Sequence, residues 1–418
     1  MTERLYYTDP KLLQFDGRFL DFMPDEKQER SGIVLDRTAF YPTSGGQLFD
    51  TGWLGEDTLR LRVTEVLERD DGTIVHYIDW SVLDTLGRAT GIGIAKNALL
   101  RGVIDRPRRR DHMQQHTGQH LLSAVFIELF NAPTVSFHMG DESCTIDLEV
   151  KSLSPEQIRE AERRSNEIIS DDVAVEIKFA TPEEERQMGV RKIPPDLQDK
   201  LRLIEIHGHD LTACGGTHVG RSGEIGSILL RKAEKVKQGM RVEFVCGARA
   251  VAAARKDFET LTSAAALFSS HLYDVPEQIR KTLNEAKSAG KREQKTQAEL
   301  AELMAAGMVA GAPEANGIRL VKQVLADRDM AFIKLLAQKL ASHPAVLTLL
   351  ATTTPQPALV FAQSAGGRFD MGALMKEAMS ALGGRGGGSR DLAQGGAPAG
   401  ANIEDVLDST VAKITNSK

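Results

Sequence analysis

Cysteine is scarce in this sequence, and the few present are far apart. The 418 residues contain three cysteines, at Cys144, Cys214 and Cys246. An odd number at such separations argues against a disulfide framework, so each thiol is a core residue, a metal ligand or a nucleophile. We therefore expect a reducing compartment, the cytoplasm.

Long apolar runs and an excess of basic residues are also missing. No apolar run approaches the ~20 residues that span a bilayer, and the first residues lack the basic-then-apolar order of a signal peptide, so we expect no membrane partner. The formal net charge of -6 gives no overall attraction to nucleic acid. Any RNA contact must then come from local patches.

The sequence contains one clear basic patch, in which five arginines fall within ten residues: Arg101, Arg106, Arg108, Arg109 and Arg110. A solvated loop and a phosphate-binding surface explain this cluster equally well.

The composition is that of a globular protein, with 41% hydrophobic and 26% charged residues, and the mixture of predicted strands and helices indicates an α+β fold. Short strands at 18–22, 33–40, 59–67 and 73–78 predict a small β-barrel over 1–97, whose last hairpin carries Asp70-Asp71-Gly72. Helices at 113–130 and 155–169, with strands at 144–150, 173–179, 201–206 and 241–246, predict an α/β domain over 98–247.

The remainder of the sequence reads as a helical arm followed by another α/β domain. Apolar residues recur at helical spacing over 248–312. A helix at 330–340 and strands at 347–351 and 358–362 place the last domain at 313–418. We interpret its glycine-rich stretch 383–388 as a loop inside a folded unit, because a helical pattern follows at 403–414.

Histidines and a cysteine form two motifs with metal-ligand spacing. His116 and His120 are four residues apart on the predicted helix, and Cys214 and His218 flank two glycines that let the chain curl. Together they offer zinc three nitrogens and one sulfur. The spacing alone leaves alternatives open, since His112 fits the same periodicity and His207 and His209 precede the second motif. Cys214 could also act as a covalent nucleophile.

These motifs resemble those of a known family. The sequence resembles the editing domain of alanyl-tRNA synthetases and, more closely, their freestanding relatives of the AlaX family in the long form with a C-terminal domain. The matching stretches are Phe40-Tyr41-Pro42, Ser44-Gly45-Gly46-Gln47, Asp50-Thr51-Gly52, His116 to Leu122, Thr145 to Leu148, Cys214 to His218, Gly223 to Gly226, Gly386 to Gly388 and Asp391 to Gly396.

The resemblance implies a trans-editing aminoacyl-tRNA hydrolase that removes serine from the tRNA for alanine, with glycine as a second substrate that the sequence leaves open. It places zinc on His116, His120, Cys214 and His218, which leaves His112 outside. It also implies that the segment Thr134, Ser136 and His138 lines the catalytic pocket. We expect further substrate contacts from glycine-rich turns and one amide: Gly45, Gly46, Gln47, Gly215 and Gly216.

The resemblance also implies tRNA binding and a homodimer formed through the helical arm and the C-terminal domain. We expect RNA contacts at Arg108, Arg109, Arg110, Gly387 and Arg390. We do not expect ligase activity, because the barrel stands at the start of the sequence with no aminoacylation domain before it. Two rivals stay open: a non-catalytic tRNA-binding module with structural zinc, and an editing factor for a threonine-system tRNA.

Overall fold

A computed structural model describes the whole chain except residues 26–29, 56–59, 80–93, 182–183, 185–187, 189–200, 316, 354 and 417–418. Its contacts divide the chain into two compact units, 1–263 and 264–418, which are described separately below. Among the described residues, no helix is long and apolar enough to cross a membrane.

The first unit begins with a closed six-stranded barrel, as the sequence predicts. The strands follow one another around the barrel in the order β2-β3-β7-β6-β5-β8, while β1 and β4 form a separate parallel pair. Their bounds are β1 (Glu3–Arg4), β2 (Gln14–Asp25), β3 (Arg30–Leu35), β4 (Arg37–Thr38), β5 (Gly52–Leu54), β6 (Leu61–Glu68), β7 (Ile74–Asp79) and β8 (Leu99–Ile104). Alternating apolar residues of these strands fill the barrel, with Ile33, Leu35, Leu54, Leu61 and Val63 fully buried.

A long buried helix, α1 (Arg106–Phe130), follows the barrel directly. Pro107 stands in its first turn, where the missing N–H costs nothing, and Asn131 ends it in the left-handed conformation at φ 50°. Nearly every residue from His112 to Phe126 is buried. This helix is therefore enclosed on several sides, and its polar side chains must find partners inside the protein.

Two antiparallel sheets and a second helix complete the first unit. One sheet has the order β14-β15-β10-β9 and the other β11-β12-β13. The elements are β9 (Thr134–Met139), β10 (Cys144–Leu148), α2 (Pro155–Ser170), β11 (Val175–Ala180), β12 (Leu201–Ile206), β13 (Asp210–Ala213), β14 (Ile228–Val236) and β15 (Gly239–Cys246). Apolar residues of α1, α2 and these strands form one core, so the sheets fix where α1 lies.

The second unit contains a mixed sheet of order β16-β17-β18-β19-β21-β20 with helices packed against it. Its boundary falls inside α3 (Gly247–Leu267). The other elements are α4 (Val275–Gly311), β16 (Glu314–Ala315), β17 (Ile318–Val324), α5 (Met330–Ala341), β18 (Val346–Thr352), β19 (Ala358–Gln363), α6 (Met371–Leu382), β20 (Arg385–Gly388), β21 (Leu392–Gly396) and α7 (Ile403–Asn416).

The predicted helical arm consists of two helices, because α3 ends at Leu267 and α4 begins at Val275. Two expectations about this region need correction. The last turns of α4 share a core with the C-terminal sheet, through Ala301, Ala305 and Val309, so a boundary at 312 divides one core. Residues 385–388 of the glycine-rich stretch are an edge strand that pairs with β21, not a loop.

The arginine cluster is also not a loop, since residues 106–110 form the first turn of α1. Arg109 is 1% exposed, and its guanidinium donates to Asp50 at 2.5 Å and to the carbonyls of Pro10 and Ala39. Asp50 is itself fully buried. This ion pair ties α1 to the barrel, and the burial of Arg109 corrects its predicted role as a tRNA contact.

We predict that Arg109→Met destabilises the first unit by about 3–5 kcal/mol, because it leaves the Asp50 carboxylate buried without its counter-ion. Denaturant unfolding followed by tryptophan fluorescence measures this directly, since both tryptophans, Trp53 and Trp80, lie early in the sequence. Arg110→Met is the matched control, because Arg110 is exposed and should change stability little. Equal stability of the two variants would contradict the structural role of Arg109.

Candidate metal centre and its cavity

Four potential ligands converge at one point of the first unit. His116 and His120 lie one turn apart on α1, and Cys214 and His218 come from the segment after β13. One ligand atom from each lies within 4.8 Å of all the others. His112, His207 and His209 do not join this group, which among the described residues consists of these four alone.

Two distances within this group suit a tetrahedral zinc ion. Cys214 Sγ lies 3.5 Å from His116 Nε2 and 3.3 Å from His218 Nε2. Zinc bonds of about 2.0–2.3 Å at tetrahedral angles place ligand atoms about 3.3–3.8 Å apart. The donor set and its spacing therefore fit zinc.

Gln47 orients His116. Its Oε1 accepts the backbone N–H of Thr217 at 3.0 Å, so this end of the amide is the oxygen, and the same oxygen lies 2.7 Å from His116 Nδ1. His116 Nδ1 must therefore carry the proton, which leaves the Nε2 lone pair for a metal. Gln47 Nε2 donates to Thr217 Oγ1 at 2.8 Å, so both ends of this buried amide are occupied.

His218 is oriented in the same way by a hydroxyl on α1. Thr117 Oγ1 donates to the Met113 carbonyl and accepts the N–H of Val219, so it can only accept from His218 Nδ1, at 3.1 Å. The Nε2 lone pair of His218 is thereby left for a metal.

A buried carboxylate fixes the third imidazole. His120 Nδ1 lies 3.3 Å from Asp210 Oδ2, an arrangement that orients many metal-bound histidines. Burial lowers the pKa of His120, but the hydrogen bonds to Asp210 and Cys214 outweigh it and raise that pKa to about 9. Asp210 is 7% exposed and also accepts from Thr212, so it is held in place from two sides.

The surroundings of the Cys214 thiol lower its pKa. Burial opposes the thiolate, yet the neighbouring His116 and His218 hold the pKa of Cys214 well below its usual value. The N–H of Gly216 also donates to Sγ, at 3.3 Å. Behind it, the buried Arg202 donates to the Cys214 carbonyl at 2.6 Å, which anchors the segment. The thiolate is the form that binds zinc.

The metal-ligand group opens onto a cavity of about 360 Å³, called the site cavity below. His116, His120 and Cys214 form part of its wall. The rest comes from three regions: Tyr41, Ser44 and Gly45 of the barrel, Gln119 with Thr134 to Phe137, and Thr212 to Gly216. A small polar group could therefore reach the metal position.

The predicted catalytic segment lies on β9 beside this cavity. Thr134 and Ser136 line the cavity, Thr134 Oγ1 lies 2.7 Å from Ser123 Oγ, and Ser136 donates to Asp147 at 2.9 Å. His138 is exposed further along β9, opposite Thr145 on β10, and the cavity wall from this strand ends at Phe137. The geometry thus supports Thr134 and Ser136 as cavity residues but not His138.

The predicted substrate-binding residues divide into two kinds. Gly45 and Gly215 line the site cavity. Gly216 also lines it, but a Cβ there would meet the His116 ring at 2.2 Å, so the metal ligand requires glycine. Gly46, at φ +85°, packs against Phe137. The side-chain amide of Gln47 is hydrogen-bonded at both ends, to His116 and Thr217. Gly46 and Gln47 are therefore not positioned as substrate contacts.

The remaining predicted RNA contacts lie in different surroundings. Arg108 is half-buried over the Phe49 ring, with its Cζ 5.1 Å from the centroid and its Nε donating to the Phe49 carbonyl. Arg110 is exposed. In the second unit, Gly387 lies on the edge strand β20 and Arg390 is exposed, with a 3.4 Å hydrogen bond to the Gly367 carbonyl.

Sequence reasoning missed the residues that orient the metal ligands, Thr117 and Asp210, and the anchor Arg202. Thr117 and Gln119 lie inside the His116 to His120 motif, so their closeness to the metal could have been anticipated. Asp210 and Arg202 are on strands far from α1 in sequence, and no spacing rule connects them with His120 or Cys214.

Profiles of three protein families match separate stretches of the chain. They are the tRNA synthetases class II (A) at residues 12–88, the threonyl and alanyl tRNA synthetase second additional domain at 201–242, and the DHHA1 domain at 320–416.

Individual relatives match nearly the whole chain. The alanyl-tRNA editing protein AlaX-L of Pyrococcus horikoshii is 29% identical over 99% of this chain and 98% of its own length. An alanine–tRNA ligase of Natronomonas pharaonis is 31% identical over 97% of this chain, but this covers only 43% of the ligase. A solved C-Ala domain of Aquifex aeolicus alanyl-tRNA synthetase covers 25% of this chain and 98% of its own, at 19% identity and a TM-score of 0.24, too low to bear on the fold.

We predict that Cys214→Ala lowers bound zinc from about one ion per chain to well below one, because the thiolate is the sole sulfur of the ligand group. Metal analysis of the purified variant measures this. The first unit should also unfold more easily, since binding energy at such a site contributes to folding. Cys144→Ala is the matched control, because Cys144 is buried in the core away from the ligand group. Undiminished zinc in Cys214→Ala would refute the assignment.

We predict that Gln47→Leu weakens zinc affinity about 10–100-fold, although Gln47 is not itself a ligand. Without the amide oxygen, His116 Nδ1 and the Thr217 N–H lose their common acceptor, and the imidazole is free to rotate. Competition with a chromophoric chelator measures the affinity. Ser44→Ala, a change three residues away on the cavity wall, should leave it unchanged, and equal affinities for both variants would contradict the proposed orientation.

Proposed function

The chain is similar along nearly its whole length to long-form alanyl-tRNA editing proteins of the AlaX family, and on this premise we propose that it is a zinc-dependent aminoacyl-tRNA hydrolase. Its substrate is the tRNA for alanine carrying serine. One observation carries the proposal: a four-residue zinc-type ligand group opens onto a cavity with a polar wall. An aminoacyl ester has the size and polarity for such a place.

Zinc, when bound by His116, His120, Cys214 and His218, would supply a fixed positive charge that polarises or orients the ester. Four protein ligands are usual for a closed, structural site. The attacking water is therefore assigned to groups of the cavity wall. Thr134 and Ser136 belong to the predicted catalytic segment, and they line the same cavity as His116 and His120.

Serine recognition follows from the polarity of this wall. A cavity that admits serine cannot reject the smaller alanine by size, but a hydrogen bond to the serine hydroxyl favours serine, because the buried partner is left unpaired with alanine. The Ser136 proton is given to Asp147, so Ser136 can accept from the substrate hydroxyl. Glycine, which also lacks the hydroxyl, should be a poorer substrate than serine.

The second unit is proposed to bind tRNA and to support a homodimer. Exposed Arg390 and the glycine backbone around Gly387 lie together on one part of this unit and suit contacts with phosphates. In the first unit, Arg110 and the half-buried Arg108 are proposed to assist, whereas Arg109 is excluded by its burial.

The test is hydrolysis of the tRNA for alanine charged with serine, glycine or alanine, with and without chelator. Seryl-tRNA should be hydrolysed fastest, chelator should stop the reaction, and added zinc should restore it. The tRNA for threonine charged with serine should react slowly. Binding of tRNA with no hydrolysis would favour a tRNA-binding module with structural zinc, and preference for the threonine-system tRNA would favour the other rival.

We predict that Thr134→Val lowers the ratio of seryl- to alanyl-tRNA hydrolysis about tenfold to a hundredfold, because a buried hydrogen bond to serine is lost. Ser136→Ala should lower the same ratio by less, because Ser136 is exposed. Neither change should release zinc, since neither residue is a ligand. Single-turnover hydrolysis of both esters and metal analysis measure the two quantities, with His138→Ala as the control outside the cavity. If both variants keep the parent ratio, the hydroxyl is recognised elsewhere.

A further inference from the structure

Gln119 occupies a place on the cavity wall that the proposed reaction has not yet used. It lies on α1 between the ligands His116 and His120, lines the site cavity, and is 7% exposed. Its Nε2 donates to Ser123 Oγ at 2.9 Å, one turn further along the helix. No described residue contributes a hydrogen bond to its Oε1, so this oxygen is an acceptor available to the cavity.

Ser123 links Gln119 to Thr134. Ser123 Oγ accepts from Gln119 and lies 2.7 Å from Thr134 Oγ1. A serine hydroxyl can accept two hydrogen bonds, so either Ser123 or Thr134 can donate in this pair. The wall thus presents an acceptor at Gln119 and, at Thr134, a hydroxyl that can donate or accept.

This polarity distinguishes the functional groups of an aminoacyl ester. Its α-ammonium can only donate, whereas its carbonyl can only accept. No acidic residue is among the described residues that line the site cavity. The nearby carboxylates Asp147 and Asp210 are occupied by Arg241 and by His120 and Thr212. Among the described residues of the cavity wall, neutral acceptors are therefore the groups offered to the α-ammonium.

We propose that Gln119 Oε1 accepts a hydrogen bond from the α-ammonium of the aminoacyl group and so positions the ester beside the metal ligands. Gln119 is then a substrate-positioning residue, while Thr134 reads the oxygen atoms of the substrate. This inference rests on the proposed ester hydrolysis and adds the group through which the free amino terminus is recognised.

The experiment compares seryl-tRNA with N-acetylseryl-tRNA, both on the tRNA for alanine, for the parent and for Gln119→Met. Acetylation removes the ammonium, and the bulk of the acetyl group slows both proteins alike. The preference of the parent for the free amine, divided by that of the variant, therefore isolates the hydrogen bond to Gln119. The parent should prefer the free amine. Gln119→Met should lose about tenfold or more of that preference, the usual effect of one hydrogen bond to a charged group.

Two further variants keep the test decisive. Gln119→Glu puts a charged acceptor at the same place and should increase the preference for the free amine, because a carboxylate binds an ammonium more strongly than an amide does, and this result decides the matter if Gln119→Met loses zinc. Ser123→Ala removes the hydroxyl that accepts from Gln119 Nε2 and lies beside Thr134, so it should lower the preference for serine over alanine and reduce the amine preference less than Gln119→Met does.

An unchanged amine preference in both Gln119 variants would overturn the inference. The inference would also be overturned if Gln119→Met lost only the preference for seryl- over alanyl-tRNA, because Gln119 would then bind the serine hydroxyl instead of the ammonium. If the parent hydrolyses neither ester, the proposed function itself fails, a result distinct from failure of the Gln119 contact in an active enzyme.

Discussion

The site depends on one constraint: three imidazoles must point their Nε2 lone pairs at the same place before any metal arrives. Gln47, Thr117 and Asp210 each accept the Nδ1 proton of one histidine, and two of these acceptors are themselves fixed by backbone N–H groups. Orientation by such partners is what makes a group of histidines a metal site rather than a cluster of buried polar residues.

The same constraint explains why the barrel and α1 cannot be separated functionally. Gln47 follows the turn that begins at Ser44 in the barrel, yet it orients His116 on α1. Arg109 and Asp50 hold the start of that helix on the barrel through a buried ion pair. A shift of the barrel would therefore move the metal ligand and the cavity wall together.

Local sequence patterns predicted many of the strands and helices. Contacts between residues far apart in sequence could not be predicted from such patterns. The alternating strands and the helix that carries Leu121-Leu122 were accessible from spacing, whereas the choice of His116 and His120 over His112 came from the family resemblance. Burial of Arg109 was not, because its partner Asp50 is 59 residues away. Likewise, residues 385–388 look flexible in composition but pair with β21, since glycine permits close backbone approach at an edge strand. Asp210 and Arg202 had no spacing signal at all.

The most direct test of the oriented ligand group is X-ray absorption at the zinc edge of the purified protein. The account predicts one sulfur at about 2.3 Å and three nitrogens at about 2.0–2.1 Å from the metal. A shell without sulfur, or one dominated by oxygen, would contradict it.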